Sequence, residues 1–134
     1  MIAVYPGSFD PFTAGHADVA RRALQVFDRL VVLVAVNPEK APATASDRRA
    51  ELIRARLDDD RVRVEAWTGL TAEYCLRHDI PVIIRGVRNA TDAIQEYALA
   101  AMNARLGVQT LLLGARPDLA TVSSTTVRSL DRRT

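Results

Sequence analysis

Five short runs of Val, Ile and Leu alternate with helix-patterned stretches, and this alternation restricts the fold more than any other feature of the chain. The apolar runs fall at 2–5, 30–36, 62–67, 82–84 and 108–113. Nearly continuous apolar strands of this kind belong to parallel sheets covered on both faces. Residues 16–27, 47–57, 71–78 and 92–106 read as helices, with a short final one near 124–130. The first carries Val19, Ala20, Ala23, Leu24 and Phe27 at helical spacing, with Arg21, Arg22 and Gln25 outside that stripe. Ser46 and Asp47 read as the cap and first-turn acid of the second. The expected class is α/β: a single doubly wound, Rossmann-like domain over residues 1–134, with a five-stranded parallel sheet and right-handed crossovers.

In such sheets ligands bind beyond the carboxyl ends of the strands, at the point where strand order reverses. The segments following the strands therefore define the candidate site. After the first comes YPGSFDPFTAGH, where Pro6, Gly7, Pro11 and Gly15 interrupt regular structure and let backbone approach a ligand. His16 falls near the next helix start, where unpaired N–H groups and a partial positive charge suit an anion. The plainer reading is a tight strand-to-helix turn whose His16 merely caps the helix, and the convergence of the other loops weighs against it. After the second strand come Asn37, Pro38, Glu39 and Lys40, and after the fourth Arg85, Gly86, Val87, Arg88 and Asn89. The fifth is followed by a loop ending in Val122, Ser123, Ser124, Thr125 and Thr126. Imidazole, ammonium, two guanidinium groups and hydroxyls thus converge on one predicted rim, the chemistry of a phosphate site. Among the helices, Asp92, Glu96 and Asn103 share one face by spacing, with Ile94, Ala98 and Ala101 expected to pack beneath it. Asp92 with Gln95 also fits a capping pair.

Composition removes several alternatives. Of eighteen basic residues only Lys40 is lysine, and net charge is +2. That charge is too small and too evenly spread for nucleic-acid binding, and aromatics at 5% offer no stacking platform. No apolar run approaches a membrane span. Met1 leads directly into a strand, so no signal or transit segment is expected. The single cysteine, Cys75, reads as a buried residue in a reducing, cytoplasmic setting. With two histidines and no Cys/His cluster, a protein-held metal is not expected (metal ligands: none). Neither a G-x-S-x-G elbow, a P-loop nor a G-x-G-x-x-G turn is present.

These residues together resemble the bacterial phosphopantetheine adenylyltransferases, of the nucleotidyltransferase superfamily with the H-x-G-H or T-x-G-H signature. Thr13-Ala14-Gly15-His16 is the T-x-G-H form, NPEKAP matches the lysine loop, IIRGVRNATD with AAMNARL the arginine loop and helix, and VSSTTVR the closing serine motif. The likeness extends over nearly the full chain. It implies transfer of the adenylyl group of ATP to 4′-phosphopantetheine, giving dephospho-coenzyme A and pyrophosphate. The catalytic groups it implies are His16, Lys40 and Arg88. Ser8 and Phe9 would contact the substrates. Lys40 and Arg85 would hold the acceptor phosphate, with Ser8 nearby and Thr71 beside the pantetheine arm. ATP would meet Gly86, Val87, Arg88, Glu96, Leu119, Ala120, Thr121, Val122, Ser123, Ser124 and Thr125. The family also implies a homo-oligomer, a hexamer in its known members. The sequence departs from the family at Asp92-Ala93-Ile94-Gln95-Glu96, where aromatic and acidic residues are usual, and at Leu119-Ala120-Thr121, Thr125 and Ser129.

The chemistry agrees independently. A phosphate nucleophile is already ionised at neutral pH and needs no general base, so positioning and charge neutralisation suffice. Displacing pyrophosphate calls for Mg2+ on the phosphates, with few protein ligands. A related nucleotidyltransferase acting on nicotinamide mononucleotide or a polyol phosphate, and a non-catalytic nucleotide sensor, are the competing readings.

Overall fold

A computed structural model describes residues 1–36 and 43–114, with the backbone alone for 43–45. Its order is β1 (Ile2–Gly7), α1 (Ala14–Ala23), β2 (Arg29–Ala35), α2 (Ala43–Leu57), β3 (Val62–Trp67), α3 (Thr71–Arg77), β4 (Val82–Val87), α4 (Ala90–Arg105) and β5 (Gln109–Gly114). All five strands pair in parallel, in the order β3-β2-β1-β4-β5. The α/β class and the five-stranded parallel sheet are as the sequence predicts. Lys40, the segment 119–125 and the helix expected near 124–130 lie outside the described residues.

Period-two alternation builds two cores from one strand set. Leu30, Val32 and Val34 of β2 face the layer containing Ala17, Val19, Ala20 and Ala23 of α1 and Ile53 of α2. Val31 and Leu33, on the opposite face, meet Ala72, Tyr74 and Cys75 of α3. Burial pushes the Cys75 thiol up to about 11, as fits a core residue.

Four local expectations shift. Strand β1 runs on through Pro6 to Gly7, although proline has no N–H to give a ladder. The Pro6 carbonyl faces the β4 side, where it accepts from Arg85 Nη1 at 2.7 Å, so no ladder donor is needed there. Helix α1 begins at Ala14 with Thr13 as its cap, two residues before His16. Helix α2 begins at Ala43, which places Ser46 inside it and buried rather than at its cap. In α4, Ile94 is 73% exposed and Ala98 and Ala101 are also exposed, so that stripe does not pack beneath. The buried residue of α4 is Glu96.

Between β1 and β4 only Val4 and Ile83 are in register, whereas β1–β2, β2–β3 and β4–β5 each register six pairs. The carboxyl ends of these two strands border a crevice at the reversal of strand order.

Candidate active site

A cavity of about 650 Å³ fills this crevice. It is lined by residues from Tyr5 to Phe9, by Thr13 to His16 at the start of α1, by Arg85 to Arg88, and by Asp92, Gln95 and Glu96 of α4. A second cavity of about 200 Å³ adjoins it between α3 and α4, with Thr71, Ile83, Leu99, Met102 and Asn103 in its walls. Pro6, Arg85 and Glu96 border both.

His16 reaches this position through a helix cap. The Thr13 hydroxyl accepts the His16 backbone N–H, and His16 Nδ1 accepts the Thr13 backbone N–H at 3.0 Å. A backbone N–H can only donate, so Nδ1 carries no proton and the neutral ring holds its hydrogen on Nε2. Capping and ligand binding therefore use different nitrogens of one ring. Burial, then the charges of Arg88 and Arg85, hold the imidazole below its ordinary value of 6.5. At neutral pH the ring is an uncharged Nε2–H donor.

The ring is braced by aromatics. Phe9 meets it edge-on at 5.1 Å between centroids, and Phe12 lies at 5.6 Å. Phe9 is buried, with its backbone in the left-handed region at φ 49°. Its ring lies over Gly7, where a Cβ would stand 2.8 Å from Phe9 Cε1 and Cζ, so only glycine fits.

Arg85 projects from β4 and is fixed on three sides. Its Nε and Nη2 donate to the two Glu96 oxygens at 2.9 and 2.8 Å, and Nη1 donates to the Pro6 carbonyl. A guanidinium has five N–H bonds, so one hydrogen each on Nη1 and Nη2 remains to form an end-on fork for a phosphoryl group. Arg88 is largely exposed and pairs with Asp92 at 3.2 Å. Asp92 is the third residue of α4, and the helix is capped by Asn89, whose side chain accepts the Asp92 N–H at 2.8 Å. Asp92, Glu96 and Asn103 share one face of α4, as their spacing predicts, and that face borders the cavities.

The structure thus brings together Ser8, Phe9, His16, Arg85, Gly86, Val87, Arg88 and Glu96 on one cavity, and sets Thr71 on the adjoining one. Sequence reasoning placed Gly7 in the loop but did not show the Phe9 ring packed over it, nor Asp92's role as the Arg88 partner, nor the contacts of α2 with the loop. The first could have been suspected from a glycine two residues before an aromatic; the others depend on tertiary contacts.

A parallel sheet opened at its reversal point, with a cationic cleft and a histidine at a helix start, defines a nucleotide-handling α/β protein. In agreement, the cytidylyltransferase-like family profile matches residues 4–130. Phosphopantetheine adenylyltransferases from Leptospira biflexa and Thermotoga neapolitana are 40% and 41% identical to this chain, over 98% and 97% of it and 84% and 83% of their own lengths. That from Clavibacter michiganensis is 44% identical over 97% of this chain and 83% of its own. The chain belongs to the phosphopantetheine adenylyltransferase family. In three dimensions it resembles a lipopolysaccharide core biosynthesis protein from Thermoplasma volcanium, with TM-score 0.59, 22% identity, and coverage of 87% of this chain and 96% of that one. At that identity the likeness concerns the fold alone.

Proposed function

We infer that the protein transfers the adenylyl group of ATP to 4′-phosphopantetheine, releasing pyrophosphate and forming dephospho-coenzyme A. One observation carries the reading: a large cavity bordered by His16 and Arg88 and a smaller, more apolar one beside Thr71 meet at Arg85. Two phosphorylated molecules of unequal polarity can lie head to head across such a guanidinium.

ATP occupies the larger cavity, with Ser8, Phe9, Gly86, Val87 and Glu96 around it; the family resemblance assigns residues 119–125 to ATP as well. The pantetheine arm follows Thr71, and the acceptor phosphate meets Arg85; the family resemblance assigns Lys40 to the same phosphate. An acceptor phosphate oxygen attacks the α-phosphorus of ATP, and the bond from that phosphorus to the bridging oxygen of the β-phosphate breaks. His16 Nε2–H donates to an α-phosphate oxygen as charge grows there, and Arg88 and Lys40 neutralise the remainder. The nucleophile is ionised already, so no proton need be taken from it.

Among the described residues no group of three His, Cys, Asp or Glu side chains could hold a metal ion, and Asp92 and Glu96 are engaged by arginines. Mg2+ would enter with the ATP substrate and supply charge neutralisation for the departing pyrophosphate. The protein works in the cytoplasm as an assembly of identical chains, without nucleic acid or membrane. Exposed Ile94, Tyr97, Leu99 and Met102 on α4 support self-association.

The test is an assay for pyrophosphate with ATP, Mg2+ and each acceptor in turn. Release with 4′-phosphopantetheine alone is expected. Release with nicotinamide mononucleotide or a polyol phosphate instead, or ATP binding with no release under any acceptor, refutes the reading.

A further inference from the structure

The backbone of Phe9 is held in a conformation that residues with a Cβ disfavour, and it persists because its surroundings over-determine it. On the side-chain flank the ring is locked against Tyr5, Phe12 and His16. On the backbone flank α2 takes hold. Arg49 Nη1 donates to the Ser8 carbonyl at 2.5 Å, immediately before Phe9. Two turns along the same face, Arg56 Nη1 makes a longer contact of 3.4 Å with the Phe12 carbonyl. In a trans peptide the C=O and the following N–H point in opposite directions. Drawing the Ser8 carbonyl toward α2 therefore turns the Phe9 N–H away from α2.

We propose that Arg49 is a positioning residue: by gripping the Ser8 carbonyl it fixes the loop between β1 and α1, and through Phe9 it sets the imidazole of His16 for adenylyl transfer. The proposal rests on the function inferred above. Arg49 touches neither cavity, so it acts only through the loop. Ser8 and Phe9 border the nucleotide cavity, and Phe9 is the ring that meets His16 edge-on. Without the grip, the left-handed turn relaxes, Phe9 withdraws from His16, and water reaches the imidazole.

The experiment compares Arg49→Ala and Arg49→Lys in the full chain with the parent. The first readout is an NMR titration of His16 in ligand-free protein, where His78 is the only other imidazole. Around His16 stand Arg85 and Arg88 with their partners Glu96 and Asp92, Tyr5 from β1, and the Thr13 hydroxyl. Those groups are unchanged in the variants. Arg49→Ala is expected to raise the His16 midpoint toward 6.5 and to lower kcat about 3- to 10-fold, the scale of one weakened charge-assisted contact. The KM for ATP should change less than kcat. Arg49→Lys, which keeps a donor, should restore most of both. A parental midpoint and parental kcat in folded Arg49→Ala overturn the proposal. So does a lowered Tm with kcat per folded molecule intact, since that marks a contact serving stability alone. If Arg49→Ala does not fold, Arg49→Gln decides: a raised midpoint supports the proposal and a parental one overturns it. If the parent releases no pyrophosphate with any acceptor, the inferred function fails while the titration still reads the Arg49 grip.

Discussion

At the residue scale the site turns on one imidazole performing two tasks. Nδ1 belongs to the helix cap, which leaves Nε2–H as the donor toward the cavity. Replacing His16 by alanine removes a transition-state contact of about 1.5–3 kcal/mol, so turnover should fall roughly 10- to 150-fold. ATP affinity, measured by calorimetry, should fall much less; equal losses in both would assign His16 to ground-state binding. The pH dependence has a definite sign. The folded imidazole titrates below 6.5, so kcat/KM should hold constant from neutrality down to that region and fall only below it. Protonation keeps the Nε2–H but displaces the Thr13 N–H from Nδ1, and the loss of the cap that orients the ring is the cause of that fall. The stability contributed by the neutral ring is present above 6.5, where the unfolded chain is neutral too, and is lost as pH falls through the folded value. Gly15 supplies a complementary test. A Cβ there would meet only Thr13 Oγ1, at 3.6 Å, an ordinary contact. Gly15→Ala should therefore leave Tm nearly unchanged while weakening ATP binding, because the crowding it adds is felt only by a ligand. A variant that lost stability and kept its affinity would contradict this. The sequence made His16 and the arginine loop legible, since both follow strands at the rim. It did not reveal that cap and donor were the same ring, because the usual capping partner three residues on is an acid or amide rather than histidine.

At the element scale α4 is fastened to β4 by charge more than by apolar packing. Glu96 is its buried residue, and the carboxylate holds both Nε and Nη2 of Arg85. That bond raises the guanidinium's pKa further, and it aims the remaining fork at the junction of the cavities. Glu96→Gln offers one acceptor where there were two and leaves the partly buried guanidinium without its counter-charge. The expected result is a rise of about tenfold or more in KM for the phosphorylated acceptor, measured by steady-state kinetics, with a smaller effect on KM for ATP. An unchanged acceptor KM would show that Arg85 is oriented by its Pro6 contact alone. The strand and helix elements among the described residues were readable from periodicity, because the central strands β1, β2 and β4 feed both cores and α1 has an apolar stripe. What periodicity could not assign was the orientation of α4. Its 92/96/103 face and its 94/98/101 face are both self-consistent on a helical wheel. Only the tertiary arrangement, in which the polar face covers a cleft rather than a sheet, decides between them. The same holds for Pro6, whose tolerance inside a strand depends on an arginine 79 residues away.

At the scale of the whole molecule the crevice is also the weakest seam of the sheet. Three of the four strand pairings register six residues, and β1–β4 registers one. The sheet thus divides into a β3-β2-β1 part carrying the histidine loop and a β4-β5 part carrying the two arginines. A nucleotide binding His16 and Arg88 together ties these parts across the place where the backbone ties them least. If ATP binds only the folded state, a hundredfold excess over Kd adds about 2.7 kcal/mol, enough to raise Tm by roughly 10 °C in a domain of this size. The distribution of that gain distinguishes a bridging ligand from one held on a single side. Hydrogen exchange should show added protection at Val4 and Tyr5 of β1 and at Ile83 and Ile84 of β4, the residues flanking the seam. The pairing of β2 with β3, distant from the crevice, should gain only what global stabilisation gives every amide. Protection confined to the loop before α1, with β4 unchanged, would mean that the ligand grips one part alone and that the arginines do not share it with His16.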